Sequence, residues 1–442
     1  NAIGANSYLI DTGNCKIILD SGMNPKREGL DAAPDLKLLE PDTVDIVVLT
    51  HSHLDHAGTI PLVMRRHSEA ILYSTPPTAD LAEALMHNSV NVMQSKREEL
   101  GITDYPLFGH KELDKLDPRW QLLDYNSRAE IAEGVFMTFF NAGHVLGSCG
   151  VLIEANGKTL FYTGDIQFDD QCIISGAEFP TEGIDILICE TTRGAIPRRA
   201  DYSREKEMQA FCDAINVALK RGGSVLIPVF AIGKTQEVLS MLHKFKQEEN
   251  LDEKVPVFIG GLSTKMTLIF DEYAGTPYRS DGDFQIIEGM KLKIGNKRKK
   301  RKPITYQRRA VFALSSGMMT EKTVSNEFAR TFINNPRNSL LFVGYADPDS
   351  PAGKIRKAQR GDLVTLDPDK EDVKLDCDLH VFDFSGHSTR DDILDYIVKV
   401  KAKKNLLVHG DIDASKWFQN EIQQKLPDAE AIIPEPALEY KL

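Results

Sequence analysis

The chain has 442 residues, 42% of them hydrophobic, and a formal net charge of −12. That length can fill two or three domain cores. The acidic balance excludes a protein that coats nucleic acid with its whole surface, and the lack of any run of about 18 apolar residues excludes a membrane-spanning helix. The opening "NAIGANSYLI" has no Met and reads as the middle of a hairpin, so a short N-terminal piece is expected to be missing. Short β-branched runs then alternate with longer amphipathic stretches, which predicts a layered α/β protein. Predicted strands are 45–50, 135–140, 159–164, 185–190, 224–230, 255–260, 310–316, 339–345, 379–385 and 405–410. Between them, Met208, Phe211, Ile215 and Leu219 share one face of a predicted helix at 203–220, ended by Gly222-Gly223. The six cysteines form no CxxC pair, which suits reduced thiols in the cytoplasm. One stretch opposes the overall charge: "GNKRKKRKPITYQRR", 295–309, holds eight Lys or Arg. A solvated loop and a phosphate-binding arm fit it equally well by composition.

Several predicted strands run into a residue able to bind metal or move protons: His51, Asp165, Glu190, His387 and His409. Strand ends on one rim of a sheet can converge although distant in sequence. The densest motif is "HSHLDH", 51–56. With the strand ending at His51, extended geometry would put His51 and His53 on one side. Asp55 and His56 would then sit in a turn that opens a helix, facing a second position. Imidazole suits zinc, and a carboxylate adds a hard ligand that can bridge two ions. His67, His87, His110, His243 and His380 are dispersed and are read as ordinary surface or core residues.

This motif is the HxHxDH signature of the metallo-β-lactamase superfamily, which the chain resembles. "LDSG" (19–22) resembles the first motif of that superfamily, "NAGHVLGSCG" (141–150) its third and "YTGD" (162–165) its fourth. The resemblance implies two zinc ions per chain. His51, His53 and His144 would hold one, Asp55, His56 and His409 the other, with Asp165 bridging and Asp20 orienting a ligand from behind. Two cations about 3.5–4 Å apart lower the pKa of a shared hydroxide and stabilise an in-line phosphoryl transition state.

The superfamily hydrolyses several ester and amide classes, so fold alone does not choose a substrate. "LICETTRG" (187–194), "FSGHSTRDDI" (384–393) and "LLVHGD" (406–411) resemble the three extra motifs of the β-CASP nucleases. The implied fold is α/β, a metallo-β-lactamase αββα sandwich with an inserted α/β β-CASP cassette. Its parts are 1–195 and 385–442 for the core and 196–384 for the cassette. The implied activity is hydrolysis of single-stranded RNA in a cleft between the domains, as an endonuclease, a 5′-3′ exonuclease or both. Asp55, Glu190 and His387 are the expected catalytic residues, His387 protonating the leaving oxygen and Glu190 favouring its protonated form. Lys234, Ser316 and Lys354, with Lys299 and Arg301 of the basic run, are the expected substrate contacts. Lys234 stands where the family usually has arginine, Arg193 where many members have an aromatic residue, and "DPDSPAGK" replaces the usual "EGTLGR". "GKT" at 233–235 is no P-loop, since its lead glycine would fall on Pro228. The alternatives are a small-molecule lactone or thioester hydrolase and a DNA nuclease of the same family; His409 leans toward RNA. A homodimer is the assembly considered.

Overall fold

The computed structural model describes residues 4–294 and 304–442. Lys299 and Arg301 lie outside the described residues. The chain divides into two compact units. The first comprises residues 1–170, 175–198 and 387–442, and the second 171–174 and 199–386.

Two sheets build the first unit. One runs in the order Tyr8–Asp11, Lys16–Leu19, Ile46–Val48, Ile71–Ser74, Trp120–Leu122, antiparallel only at its first pair. The other has seven strands: Glu430–Ile432, Lys404–Val408, Ile186–Glu190 and Lys158–Tyr162 are parallel, and Cys149–Ala155, Val135–Asn141 and Arg128–Ala132 continue antiparallel. Side-chain alternation explains the layering. Ile17, Leu19, Ile46 and Val48 of the first sheet pack with Met137, Val151, Ile186, Ile188 and Val408 of the second in one buried cluster. The intervening Ile18 and Val47 face helices Ile60–Arg66 and Pro76–Leu100, while Leu187, Cys189 and Leu407 face helices Arg390–Val400 and Ile412–Lys425. This is the αββα sandwich. Burying an Ile or Val is worth about 1.5–3 kcal/mol, and a one-residue slip would turn every such side chain to the wrong face, so register is strongly fixed.

The second unit carries a six-stranded sheet in which every pairing is parallel. Its strands Val225–Pro228, Val311–Leu314 and Ser339–Phe342 are buried throughout, as expected of a parallel sheet covered on both sides. Helix Val324–Phe332 closes one face through Phe328, Ala329 and Phe332. No helix among the described residues is long and apolar enough to cross a membrane.

Candidate metal centre

The first-unit strands deliver the expected residues, with two corrections to how. The strand before "HSHLDH" stops at Val48, three residues short of His51, so the pair lies beyond the sheet, although His53 itself keeps extended backbone, φ −62 and ψ 146. His53 is instead the N-cap of a one-turn helix, Leu54–Ala57, that contains Asp55 and His56 and precedes helix Ile60–Arg66. A tight turn brings the rings closer than a strand would: His51 and His56 ring centroids are 4.1 Å apart, His51 and His53 4.9 Å. The second correction concerns His387. The strand before it, Asp378–Val381, belongs to the sheet of the second unit, and His387 lies where the chain resumes the first unit, ahead of helix Arg390–Val400.

Three loops complete the cluster. Asn141 Oδ1 accepts from Gly143 N–H (3.0 Å), and Ser148 Oγ accepts from the backbone N–H groups of His144 and Val145 (3.1 Å each). Gly143 has φ +67 and a Cβ there would stand 2.2 Å from the Gln167 carbonyl, so only glycine fits that turn. Asp165 follows strand Lys158–Tyr162, and Glu190 ends the neighbouring strand. His409, with φ 49, and Asp20, with φ 58, both hold left-handed backbone rare for non-glycine residues. Such conformations persist where surroundings dictate them, as they do at functional sites.

The geometry centres on Asp165. Its Oδ2 is 3.5 Å from His51 Nε2 and 3.7 Å from His144 Nε2, and its Oδ1 is 3.4 Å from His56 Nε2 and 3.2 Å from His409 Nδ1. His53 Nδ1 lies 3.1 Å from His144 Nε2, and Asp55 Oδ2 lies 3.3 Å from His409 Nε2. Ligand atoms of His51, His53, His144 and Asp165 fall within 4.8 Å of one another. So do those of His51, Asp55 and His56, of His56, Asp165 and His409, and of Asp165, Glu190 and His387. Asp165 belongs to three of these four groups.

Polar accounting favours a cation here. His51 Nε2 and Asp165 Oδ1 are buried with no hydrogen-bond partner, which costs each group about 1–3 kcal/mol unless something else satisfies it. A cation among neutral imidazoles and carboxylates does so, and the nitrogen and oxygen donors fit zinc. Burial holds the His51 imidazole well below its usual pKa, with the His56 charge adding, and burial likewise lowers His53. For His56 burial also pulls down, but Asp165 and Asp20 outweigh it and raise its pKa well above the usual value. Burial would raise the Asp165 pKa, yet the surrounding histidines bring it well below the ordinary range.

Behind the cluster, Asp20 is fully occupied. Oδ1 accepts from Thr50 N–H (2.7 Å), while Oδ2 accepts from the Tyr162 hydroxyl (2.9 Å) and lies 2.7 Å from His56 Nδ1. Gly22 lets this loop meet the Asp55 backbone, since a Cβ would fall 1.6 Å from the Asp55 carbonyl oxygen. Thr50, Tyr162 and Thr192 (Oγ1 2.9 Å from His409 Nδ1) escape sequence reading because an isolated polar residue has no periodicity. The Asn6 amide is a fourth, 3.1 Å from His56 Nε2. His87 and His110, read as dispersed, in fact stack with their Nδ1 atoms 2.8 Å apart.

Beside the cluster, His387 Nδ1 lies 3.1 and 3.3 Å from the two Glu190 oxygens. Glu190 is fixed by Ile166 N–H (2.6 Å) and Thr192 N–H (3.2 Å). His387 keeps 22% of its side-chain surface exposed while Glu190 keeps 1%, so the imidazole alone can meet a ligand. In the second unit, Ser316 follows strand Val311–Leu314, and Lys234 opens helix Lys234–Gln247 after strand Val225–Pro228. Both stand on the carboxyl rim of the six-stranded sheet. Lys354 is exposed in helix Pro351–Lys357, after strand Ser339–Phe342.

Residues 1–213 match the family model of the metallo-beta-lactamase superfamily, 235–355 that of the Beta-Casp domain, and 372–434 that of the Zn-dependent metallo-hydrolase RNA specificity domain. The chain belongs to the β-CASP branch of the metallo-β-lactamase superfamily. Among relatives of this β-CASP chain, transcription termination factor FttA of Pyrococcus abyssi is 27% identical over 92% of the chain and 65% of its own length. An RNase J-like protein of Methanocaldococcus jannaschii is 25% identical, covering 96% of the chain and 94% of that protein. Cleavage and polyadenylation specificity factor subunit 3 of Dictyostelium discoideum is 26% identical over 100% of the chain and 56% of its length. The chain thus spans just under two thirds of the curated relatives it first matches. A solved structure of a protein of unknown function from Enterococcus faecalis V583 has the same fold, with a TM-score of 0.59 and 14% identity over 98% of this chain and 96% of that one.

Proposed function

We propose that this protein is a zinc-dependent RNA phosphodiesterase. The observation that carries the reading is the Glu190–His387 pair, 3.1 Å apart and sharing Asp165 with the histidine cluster. A phosphodiester expels an alkoxide, a poor leaving group unless protonated, and a histidine beside the reacting phosphate meets that need near neutral pH. In this reading His51, His53 and His144 would hold one zinc and Asp55, His56 and His409 the other, with Asp165 within reach of both sets. Zinc in those positions would lower the pKa of a water and offset charge on the phosphoryl oxygens.

The rest belongs to the chain. Glu190, itself fixed by two backbone N–H groups, holds His387 Nδ1 and turns the other ring nitrogen toward the leaving oxygen. Burial lowers the His387 pKa, but the Glu190 charge and hydrogen bond overcome it, aided by Asp165 and Asp55, so the net direction is upward. The acid form is thereby favoured. Asp20 accepts from His56 Nδ1 and so aims Nε2 into the cluster. The cassette is proposed to span 196–384, with Lys234, Ser316 and Lys354 as phosphate contacts and a cytoplasmic location. The relatives named for transcription termination, RNase J likeness and polyadenylation support RNA as the substrate class.

The test is end-labelled single-stranded RNA with 5′-monophosphate, 5′-triphosphate or 5′-hydroxyl ends, alongside DNA of the same sequence. Cleavage of RNA supports the reading, and the product ladder separates internal cutting from digestion at a 5′ end. Hydrolysis of a lactone or thioester with intact RNA overturns it. Asp20→Asn keeps the side-chain shape in a left-handed position that asparagine tolerates. It is expected to weaken zinc binding about 10–100-fold, measured by competition with a chromogenic chelator.

A further inference from the structure

The amino edge of the six-stranded sheet carries a separate feature, opposite the rim that bears Lys234 and Ser316. Strands Val225–Pro228, Val311–Leu314 and Ser339–Phe342 run parallel, so the residues leading into them gather on one side. Those residues are Lys220, Arg221, Arg308, Arg309 and Arg337, and with Gly222 they line an open cavity of about 460 Å³. That volume lies within the range of small-ligand sites.

Arg221 is the cavity's fixed wall. Its guanidinium donates to the carbonyls of Arg337 (2.6 Å) and Asn338 (2.7 Å) and to Ser339 Oγ (2.9 Å), and it pairs with Asp378. Asp378 also lies 3.6 Å from Arg360, so its charge is already shared between two guanidiniums. Arg309 is presented by a left-handed turn, φ 55, locked by its N–H to the Gly223 carbonyl at 2.9 Å. Among the described residues, the side chains of Lys220, Arg308, Arg309 and Arg337 have no ion pair and no hydrogen bond, and all four are exposed. Four unbalanced cations around one concavity, in a chain of net charge −12, are held together against their mutual repulsion. An anionic ligand relieves that repulsion. Three of the four are arginines, whose planar forks match phosphate oxygens in pairs, and four separate cations can neutralise the charge of more than one phosphate.

We propose that this cavity binds successive phosphate groups of a polyanion, at a site separate from the metal cluster. Two sources share that chemistry, a single-stranded RNA backbone and a free oligophosphate. The choice of RNA as one source rests on the function proposed above.

The experiment uses the full chain in the presence of a chelator, so that binding is read without cleavage. Fluorescence anisotropy with a labelled 12-nucleotide RNA is followed from low to high salt, and calorimetry follows inorganic tripolyphosphate. The variant is Arg308→Gln with Arg309→Gln and Arg337→Gln; Lys220→Glu alone is the second. All four side chains are exposed, and matching melting curves check that both variants fold. Three lost contacts at roughly 0.7 each predict a salt slope smaller by about 2 and RNA binding about 10–100-fold weaker at 0.1 M salt. Weakening for RNA alone identifies a strand as the source; weakening for tripolyphosphate as well identifies a general oligophosphate site. Unchanged affinity and slope in both variants, or no salt-dependent binding of either probe, overturns the proposal. RNA cleavage is scored separately. A chain that cleaves RNA but binds as before in the variants keeps its function and loses this site, and variant-sensitive binding without cleavage does the reverse.

Discussion

Replacing His387 with alanine is expected to slow RNA cleavage by about 10²–10⁴-fold, the usual worth of a general acid, with the metal content retained. The expectation separates a proton donor from a ligand: a ligand's loss would reduce bound zinc, whereas a donor's loss leaves zinc in place and slows only the chemical step. The partner variant Glu190→Gln tests the cause. In the native protein the Glu190 charge and hydrogen bond lift the His387 pKa against burial, which pulls it down. Without that charge only Asp165 and Asp55 oppose burial, so His387 gives up its proton at lower pH than in the native protein. The alkaline limb of the kcat/KM profile, which reports loss of the acid form, is therefore expected to move to lower pH in Glu190→Gln and to vanish in His387→Ala. A limb that stays in place in both variants assigns the proton to another group.

The pair also shows what the sequence could and could not convey. Glu190 was legible because a run of buried apolar residues, Ile186 to Cys189, ends in a carboxylate, and such a run reads directly as a sheet strand. His387 followed a run of the same appearance, yet that strand pairs with Ser339–Phe342 in the other unit. Strand periodicity reports that a strand exists, not which sheet it joins. The clue to the real context was the helix start: Thr389 and Asp392 form a capping box, and the T-x-x-D spacing is visible in the sequence. The predicted strands before Asp165 and His409 correspond to Lys158–Tyr162 and Lys404–Val408, which adjoin Ile186–Glu190 on either side in one sheet. Some unpredicted strands have weak patterns, such as Arg128–Ala132, with no fully buried residue, and the three-residue Trp120–Leu122, but the largely buried Cys149–Ala155 was missed as well. Helix Pro76–Leu100 was missed despite Thr75 and two prolines at its start, a pattern that favours initiation.

Asp165 should prove the most costly single position. If two zinc ions share its carboxylate, Asp165→Ala removes a ligand from both at once, and zinc content is expected to fall from about two per chain to well below one. Asp20→Asn, acting through His56 and not as a ligand itself, should weaken binding without abolishing it. Metal stabilisation of phosphoryl charge is worth several kcal/mol, so the loss in cleavage should be at least about 10³-fold. Activity alone would not separate this from misfolding, so thermal melting supplies a second reading. A ligand that binds only the folded state raises the melting temperature as the logarithm of its free concentration over its dissociation constant. Added zinc is thus expected to raise the melting temperature of the native chain and of His387→Ala but not of Asp165→Ala. The alanine change also removes the carboxylate charge that the surrounding histidines stabilise, so the metal-free variant is expected to melt below the metal-free native chain, and the zinc-dependent rise is the diagnostic reading. If Asp165→Ala keeps two zinc ions, the carboxylate does not bridge and the two metal groups are independent.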